Sequence, residues 1–146
     1  MRSTFLAAFL LLVAVSCSRP VSYEPFVLRE NAEYGDTYPF SLDLSDSTVN
    51  YGLDFYTRLV RPAFGEFPKD SIVLDLRWIS PSDSIFSDTV RFHLDTPRDS
   101  SYYARDFIFG YKENLDVKEY GVWRLKARVL DDSQAIRGLG MIFKRK

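Results

Sequence analysis

From Tyr38 onward, apolar and polar side chains alternate in short runs separated by turn-forming residues. Tyr38 to Leu44 sets Phe40, Leu42 and Leu44 on one side and Ser41 and Asp43 on the other. Tyr51 to Leu59 repeats the pattern with Tyr51, Leu53, Phe55, Thr57 and Leu59. Ser71 to Ile79 carries Ile72, Leu74, Leu76 and Trp78 in one phase, and Thr89 to Leu94 carries Val90, Phe92 and Leu94. Tyr103 to Tyr111 follows with Phe107, Phe109 and Tyr111. In Val122 to Leu130, Trp123, Leu125, Ala127 and Val129 alternate with Arg124, Lys126 and Arg128, and Leu139, Met141 and Phe143 make the last run. A period of two is the signature of a strand, whose successive side chains point to opposite faces.

Asp46-Ser47, Ser80-Pro81-Ser82-Asp83, Pro97 to Ser101 and Asp131-Asp132-Ser133 punctuate these runs, as do Pro62, Gly65 and Pro68. Seven or eight strands of this kind predict an all-β chain, a single antiparallel β-sandwich of jelly-roll or immunoglobulin-like type. A parallel sheet covered on both faces would show continuous apolar runs, whereas these strands carry a polar group at every second position. No stretch after residue 16 holds a 3.6-residue period for three turns.

The first residues follow a different rule. Arg2 precedes an unbroken apolar run from Phe5 to Val15, and Ser16-Cys17-Ser18 closes it. That is the layout of an export signal. The run is too short for a membrane span, which needs about 20 apolar residues. Ala14-Val15-Ser16-Cys17 resembles the lipobox of bacterial lipoproteins, with Ala14 where leucine is most often found. The resemblance implies that the Cys17 thiol takes up a diacylglycerol, that a peptidase cuts before it, and that the new amine is acylated. Several acyl chains make a lasting anchor where one holds marginally. The expected organisation is a signal peptide over 1–16, a lipidated tether over 17–24 and a β-sandwich domain over 25–146. Cys17 is the only cysteine, so no disulfide supports the domain. About 130 residues suffice for a core of their own.

Composition narrows the function classes. Nineteen Lys and Arg against 20 Asp and Glu give a formal net charge of −1, and the only basic cluster is Lys144-Arg145-Lys146, so nucleic acid is not an expected partner. Aromatics make up 16% of the chain, which favours strands, because flat rings pack well on a pleated surface.

Candidate chemistry is sparse, and no catalytic residue, cofactor or metal ligand is assigned. His93, the only histidine, shares a strand face with Arg91 and Asp95 and reads as solvent-facing. A triad or a zinc site needs an imidazole with organised partners. Asp54 and Asp75 lie mid-strand in the polar phase, where Arg58 or Arg77 on a neighbouring strand supplies a cross-strand ion pair; a hydrolytic site would require Asp54, Asp75 and His93 to converge. Asp46, Asp83, Asp88, Asp131 and Asp132 stand beside serines, as turn residues that cap backbone N–H groups do. Asp43 to Asp46 lacks the glycine and distal glutamate of a calcium loop. Trp78 and Trp123 share phase with leucines and read as core. Tyr34, Tyr38, Tyr102 and Tyr103 lie near loops and offer the one candidate platform for stacking a sugar.

As a whole the chain resembles the GldH-type gliding-motility lipoproteins. The resemblance rests on Tyr23 soon after Cys17, Phe40-Ser41-Leu42, and Asp46 to Leu53. It also rests on Ser80-Pro81-Ser82-Asp83 with Asp88-Thr89-Val90, Tyr120-Gly121-Val122-Trp123, and Ile136 to Met141. It implies a non-enzymatic accessory lipoprotein of the outer membrane of a Gram-negative cell, held to the membrane by the lipid on Cys17. Such a protein acts through contacts with other envelope or motility proteins. Ser18-Arg19-Pro20 lacks the acidic run that surface-exposed relatives carry after the cysteine, so the expected orientation is periplasm-facing. A glycan-binding lipoprotein is the alternative.

Overall fold

Alternation in the sequence becomes burial in the fold. The computed structural model describes residues 22–63, 67, 70–131 and 135–146; Cys17, Gly65, Pro68 and Asp132-Ser133 lie outside them. Ten strands form in chain order: β1 (Ser22–Tyr23), β2 (Phe26–Leu28), β3 (Thr37–Asp43), β4 (Tyr51–Val60), β5 (Ser71–Ile79), β6 (Ile85–His93), β7 (Asp99–Ser100), β8 (Ala104–Lys112), β9 (Val122–Val129) and β10 (Ile136–Arg145). A 3₁₀ turn at Arg29–Asn31 follows β2.

The strands make two antiparallel sheets. One runs β1-β10-β4-β8-β7, with β2 also pairing β10, and the other runs β3-β9-β5-β6. Taking β2, β3, β4, β5, β6, β8, β9 and β10 as eight successive strands, the first, eighth, third and sixth share one sheet, and the second, seventh, fourth and fifth share the other. This is jelly-roll order, so the all-β sandwich expected from the alternation takes the first of its two expected forms. Only β5 and β6, joined through Ser80-Pro81-Ser82-Asp83, are consecutive long strands within one sheet.

The core lies between the sheets. Leu53, Phe55, Leu59, Phe109, Leu139 and Met141 from one sheet meet Tyr38, Leu42, Leu74, Leu76, Leu125 and Ala127 from the other. Each large apolar side chain fully withdrawn from water contributes about 1.5–3 kcal/mol before entropy is charged. Thr57 sits in the same phase, and its Oγ1 donates to the Gly138 carbonyl at 2.7 Å, which satisfies the buried hydroxyl.

β10 is covered on its outer face as well. A Cβ at Gly138 would run into the Val27 carbonyl oxygen and the Phe26 ring, and one at Gly140 into the Tyr56 ring. The two glycines therefore leave a lane in which Phe26 and Tyr56 lie stacked, with centroids 5.4 Å apart. Here the apolar phase of the sequence does not report the whole of burial.

Three differences from the sequence reading have physical causes. Ser22–Tyr23, placed in the tether, pair with Lys144 and Phe143 of β10. β6 begins at Ile85, four residues before the alternation becomes regular, because Asp88 points inward and accepts a 2.8 Å hydrogen bond from the Tyr111 hydroxyl. Asp88 is thus a strand residue and not a turn cap. The two-residue strands β1 and β7 are too short to show any period.

Candidate functional site

The mid-strand carboxylates do not converge. Asp54 projects from the outer face of β4 and Asp75 from the outer face of β5, so both sheets stand between them. His93 is exposed at the end of β6. The expected partner of Asp54 is corrected: it bonds to Lys144 of β10, 2.5 Å away, because β10 lies on that side and sets Lys144 two residues from Ile142, the residue opposite Asp54. Arg58 instead forms a two-pronged pair with Asp106 across the β4–β8 ladder, at 2.6 and 2.7 Å. That pair holds the Asp106 carboxyl below its ordinary range, the Arg58 hydrogen bond being the largest cause. Asp75 faces Arg128 in register, and Arg128 reaches Asp36.

Of the turn carboxylates Asp46 caps local groups, whereas Asp83 pairs with Arg124 of β9 and Asp131 accepts from the Val73 N–H of β5. Asp46 Oδ1 accepts from the Thr48 N–H and hydroxyl, and Asp43 Oδ1 accepts from the Ser45 N–H and hydroxyl. Arg145 also approaches Asp43 at 3.5 Å. These oxygens are engaged in closing the loop between β3 and β4.

The tyrosines do not form one platform. Tyr38 is fully buried, its ring in the core and its hydroxyl without a hydrogen-bond partner among the described residues; burial pushes its pKa up to about 12. Its alternation with Phe40 and Leu42 carried that signal. Tyr34 is exposed ahead of β3, whereas Tyr102 and Tyr103 precede β8. β8 faces β6 through Phe92 and Phe109, at the opposite side of the sandwich from β3. Tyr102 and Tyr103 meet edge to face at 5.0 Å, with the Arg61 guanidinium 4.7 Å from the Tyr102 ring centre.

Two other features come together at the start of β6. Trp78 and Trp123 are core residues as expected, crossing edge-on at 6.3 Å. They also floor an open cleft of about 250 Å³ walled by Phe86, Leu44, Leu115 and Val117, with Lys112 and Lys118 at its rim. The loop over it is fastened by the Trp123 Nε1–H to the Glu119 carbonyl at 2.7 Å, and by the Leu115 N–H to the Tyr51 carbonyl at 2.7 Å.

The second feature is the edge itself. Leu94 N–H donates to the Asp70 carbonyl and Ser80 N–H to the Ser84 carbonyl, each at 2.9 Å. Bonded and non-bonded pairs alternate in an antiparallel ladder. Phe92, Val90, Asp88 and Phe86 therefore face β5 with their backbone groups, and those of Ser87, Thr89 and Arg91 point away from it. β6 ends its sheet, and its residues are exposed or half-buried along the whole length. This edge carries neither proline nor lysine, and of the usual guards of such a strand it has only charges, the inward-pointing Asp88 and the exposed Arg91. The sequence marks it by a long run without a breaker, a signal that alternation alone does not expose.

No family model and no curated protein matches the chain. Among solved structures, it resembles TmCBM61 in complex with beta-1,4-galactotriose at 10% identity and a TM-score of 0.31, covering 86% of this chain and 69% of that one. It resembles the Drosophila NLP core, described for pentamer formation and histone binding, at 11% identity and a TM-score of 0.24, covering 86% and 93%. Likenesses this low carry no information on what this chain binds.

Proposed function

We propose that this chain is a lipid-anchored, non-catalytic binding domain of the bacterial outer membrane that acts through protein contacts. In this reading Cys17 carries the lipid, and the domain faces the periplasm as an accessory lipoprotein of a motility-type envelope complex. The observation that carries it is the open β6 edge, where Ser87, Thr89 and Arg91 turn their backbone groups outward. A partner segment in extended form adds a strand there, main-chain bonds giving affinity and alternate side chains giving selectivity.

A photo-crosslinking residue placed at Arg91 in cells tests this against one placed at Ser41 on the opposite edge strand. The expected result is a discrete adduct with an envelope protein from Arg91 and not from Ser41, lost when Thr89→Pro removes an outward N–H. An adduct that survives Thr89→Pro, or equal adducts from both edges, would sink the strand-addition reading.

A glycan ligand is the second reading, favoured by the exposed Tyr102–Tyr103 corner beside Arg61. An oligosaccharide panel that gives no binding, or binding that Tyr103→Ala leaves intact, removes it.

A further inference from the structure

We infer that the end of the sandwich bearing the Trp78–Trp123 cleft lies against the bilayer interface, and that its exposed apolar rim is a phospholipid contact surface. The inference rests on Cys17 as the lipid anchor and goes beyond it by fixing which face the membrane meets.

The argument starts from β1. Ser22 is in register with Lys144, one residue from the end of β10. From Cys17 to Ser22 is five residue steps, which span at most about 17 Å when fully extended. A lipid on Cys17 therefore keeps this part of the sheet close to the headgroups. Arg145 pairs with Asp43 at the end of β3, so the same end of the second sheet is brought down with it. The opposite end stands about 30 Å further along β10, given ten residues at roughly 3.3 Å each.

What this end displays fits an interface. Ile85 and Phe86 open β6, Val122 opens β9, and Tyr120 precedes it; all four are about half exposed, from 48% to 56%. Phe86 packs on Trp123 at 5.9 Å, so the rim is continuous with the cleft. Lys112, Lys118 and Asp116 border it, Lys118 pairing with Asp116 at 2.5 Å, and lysine stems lie along apolar surface while their ammonium groups stay at the polar rim. Aromatic rings with one apolar and one polar end, such as Tyr120, favour the headgroup level. Because β6 runs from this end to the other, its open edge stands up from the membrane and stays accessible from the side.

The test uses the full, acylated chain in vesicles of phosphatidylethanolamine and phosphatidylglycerol containing a nitroxide-bearing lipid. An environment-sensitive fluorophore is attached through Val122→Cys or Ile85→Cys, and through Thr96→Cys at the far end; acylation blocks the native thiol. The expected result is several-fold stronger quenching, with a blue shift, at 122 and 85 than at 96. Equal quenching at both ends on protein that floats with the vesicles overturns the contact and leaves the anchor standing. Failure to float overturns both.

Discussion

β3 and β6 are the two edges of one four-stranded sheet, and they are finished in opposite ways. Just past the end of β3, Leu44 and Gly121 exchange backbone bonds, so by alternation Pro39 occupies a non-bonded position and its ring nitrogen faces outward, where an N–H would otherwise be offered. Glu33 and Thr37 close a further stretch by exchanging N–H and carbonyl bonds at 2.8 and 3.0 Å. Lys126 and Arg128 of β9 reach across to Glu33 and Asp36 and hold that segment down. Among the described residues β6 has none of these closures. It is held from inside, by Phe92 stacked on Phe109 at 4.9 Å and by the Tyr111–Asp88 bond. One sheet thus has a sealed border and an available one, and the difference lies in backbone donors more than in side-chain hydrophobicity.

The largest expected effect measures how firmly each edge is held. Phe40 of β3 is 6% exposed, within the core, while Phe92 of β6 is only partly buried. Phe40→Ala should cost about 3–5 kcal/mol in urea unfolding, the range for a buried aromatic, and Phe92→Ala about half as much. Equal losses would show that β6 is as deeply fixed as β3 and would weaken its standing as the adaptable border.

This contrast is only half legible in the sequence. Period two locates β3, β4, β5, β8, β9 and β10 because each buries one face, and Pro39 within an alternating run marks an edge to any reader of backbone donors. Strand order is another matter. Six of the seven connections between successive jelly-roll strands cross between the sheets, and a turn such as Asp46-Ser47 looks the same whether it makes a hairpin or a crossing. The partner of Asp54 depended on that order, so Lys144 was invisible until β10 was set beside β4. Phe26 and Tyr56 escaped for a related reason: their apolar contact is a pair of glycines, which leave no hydrophobic signal. The cleft joins Trp78 to a loop near residue 115, a contact between distant segments that no local pattern encodes.

A smaller effect sharpens the account of the sealed edge. Tyr38 places a hydroxyl in the core with no partner among the described residues, and leaving such a group dry costs about 1–3 kcal/mol. Tyr38→Phe keeps the ring and removes the oxygen, so it should leave stability unchanged or raise it by about 1 kcal/mol. A clear loss in urea unfolding would mean that the hydroxyl is used, and that β3 is pinned at that point by a polar contact as well as by packing.

The smallest effect concerns the charges that close the β3 side. Thr37 Oγ1 donates to Asp36 Oδ1 at 2.8 Å and Arg128 Nε to Oδ2 at 3.1 Å. The Thr37 bond is the largest cause of the lowered Asp36 pKa, partial desolvation opposes it, and the Arg128 bond and charge add to the lowering. A carboxyl whose folded pKa is depressed contributes stability that is full above its unfolded value, near 3.8, and is lost as pH falls through the lower folded value. Arg128 is largely exposed, so solvent screening limits the pair to about 0.2–1 kcal/mol. Urea midpoints of the native chain should therefore fall as pH drops from about 5 to 2, and Asp36→Asn should remove a small part of that slope. Its companion Arg58–Asp106 lies on the other sheet, and Asp106→Asn should flatten the slope in the same direction, because that carboxyl is also held low by its arginine. If Asp36→Asn left the acid slope untouched while Asp106→Asn changed it, the Asp36–Arg128 pair would add nothing measurable to the closing of the β3 border, which would then rest on Pro39, the Glu33–Thr37 bridge and the Lys126–Glu33 pair.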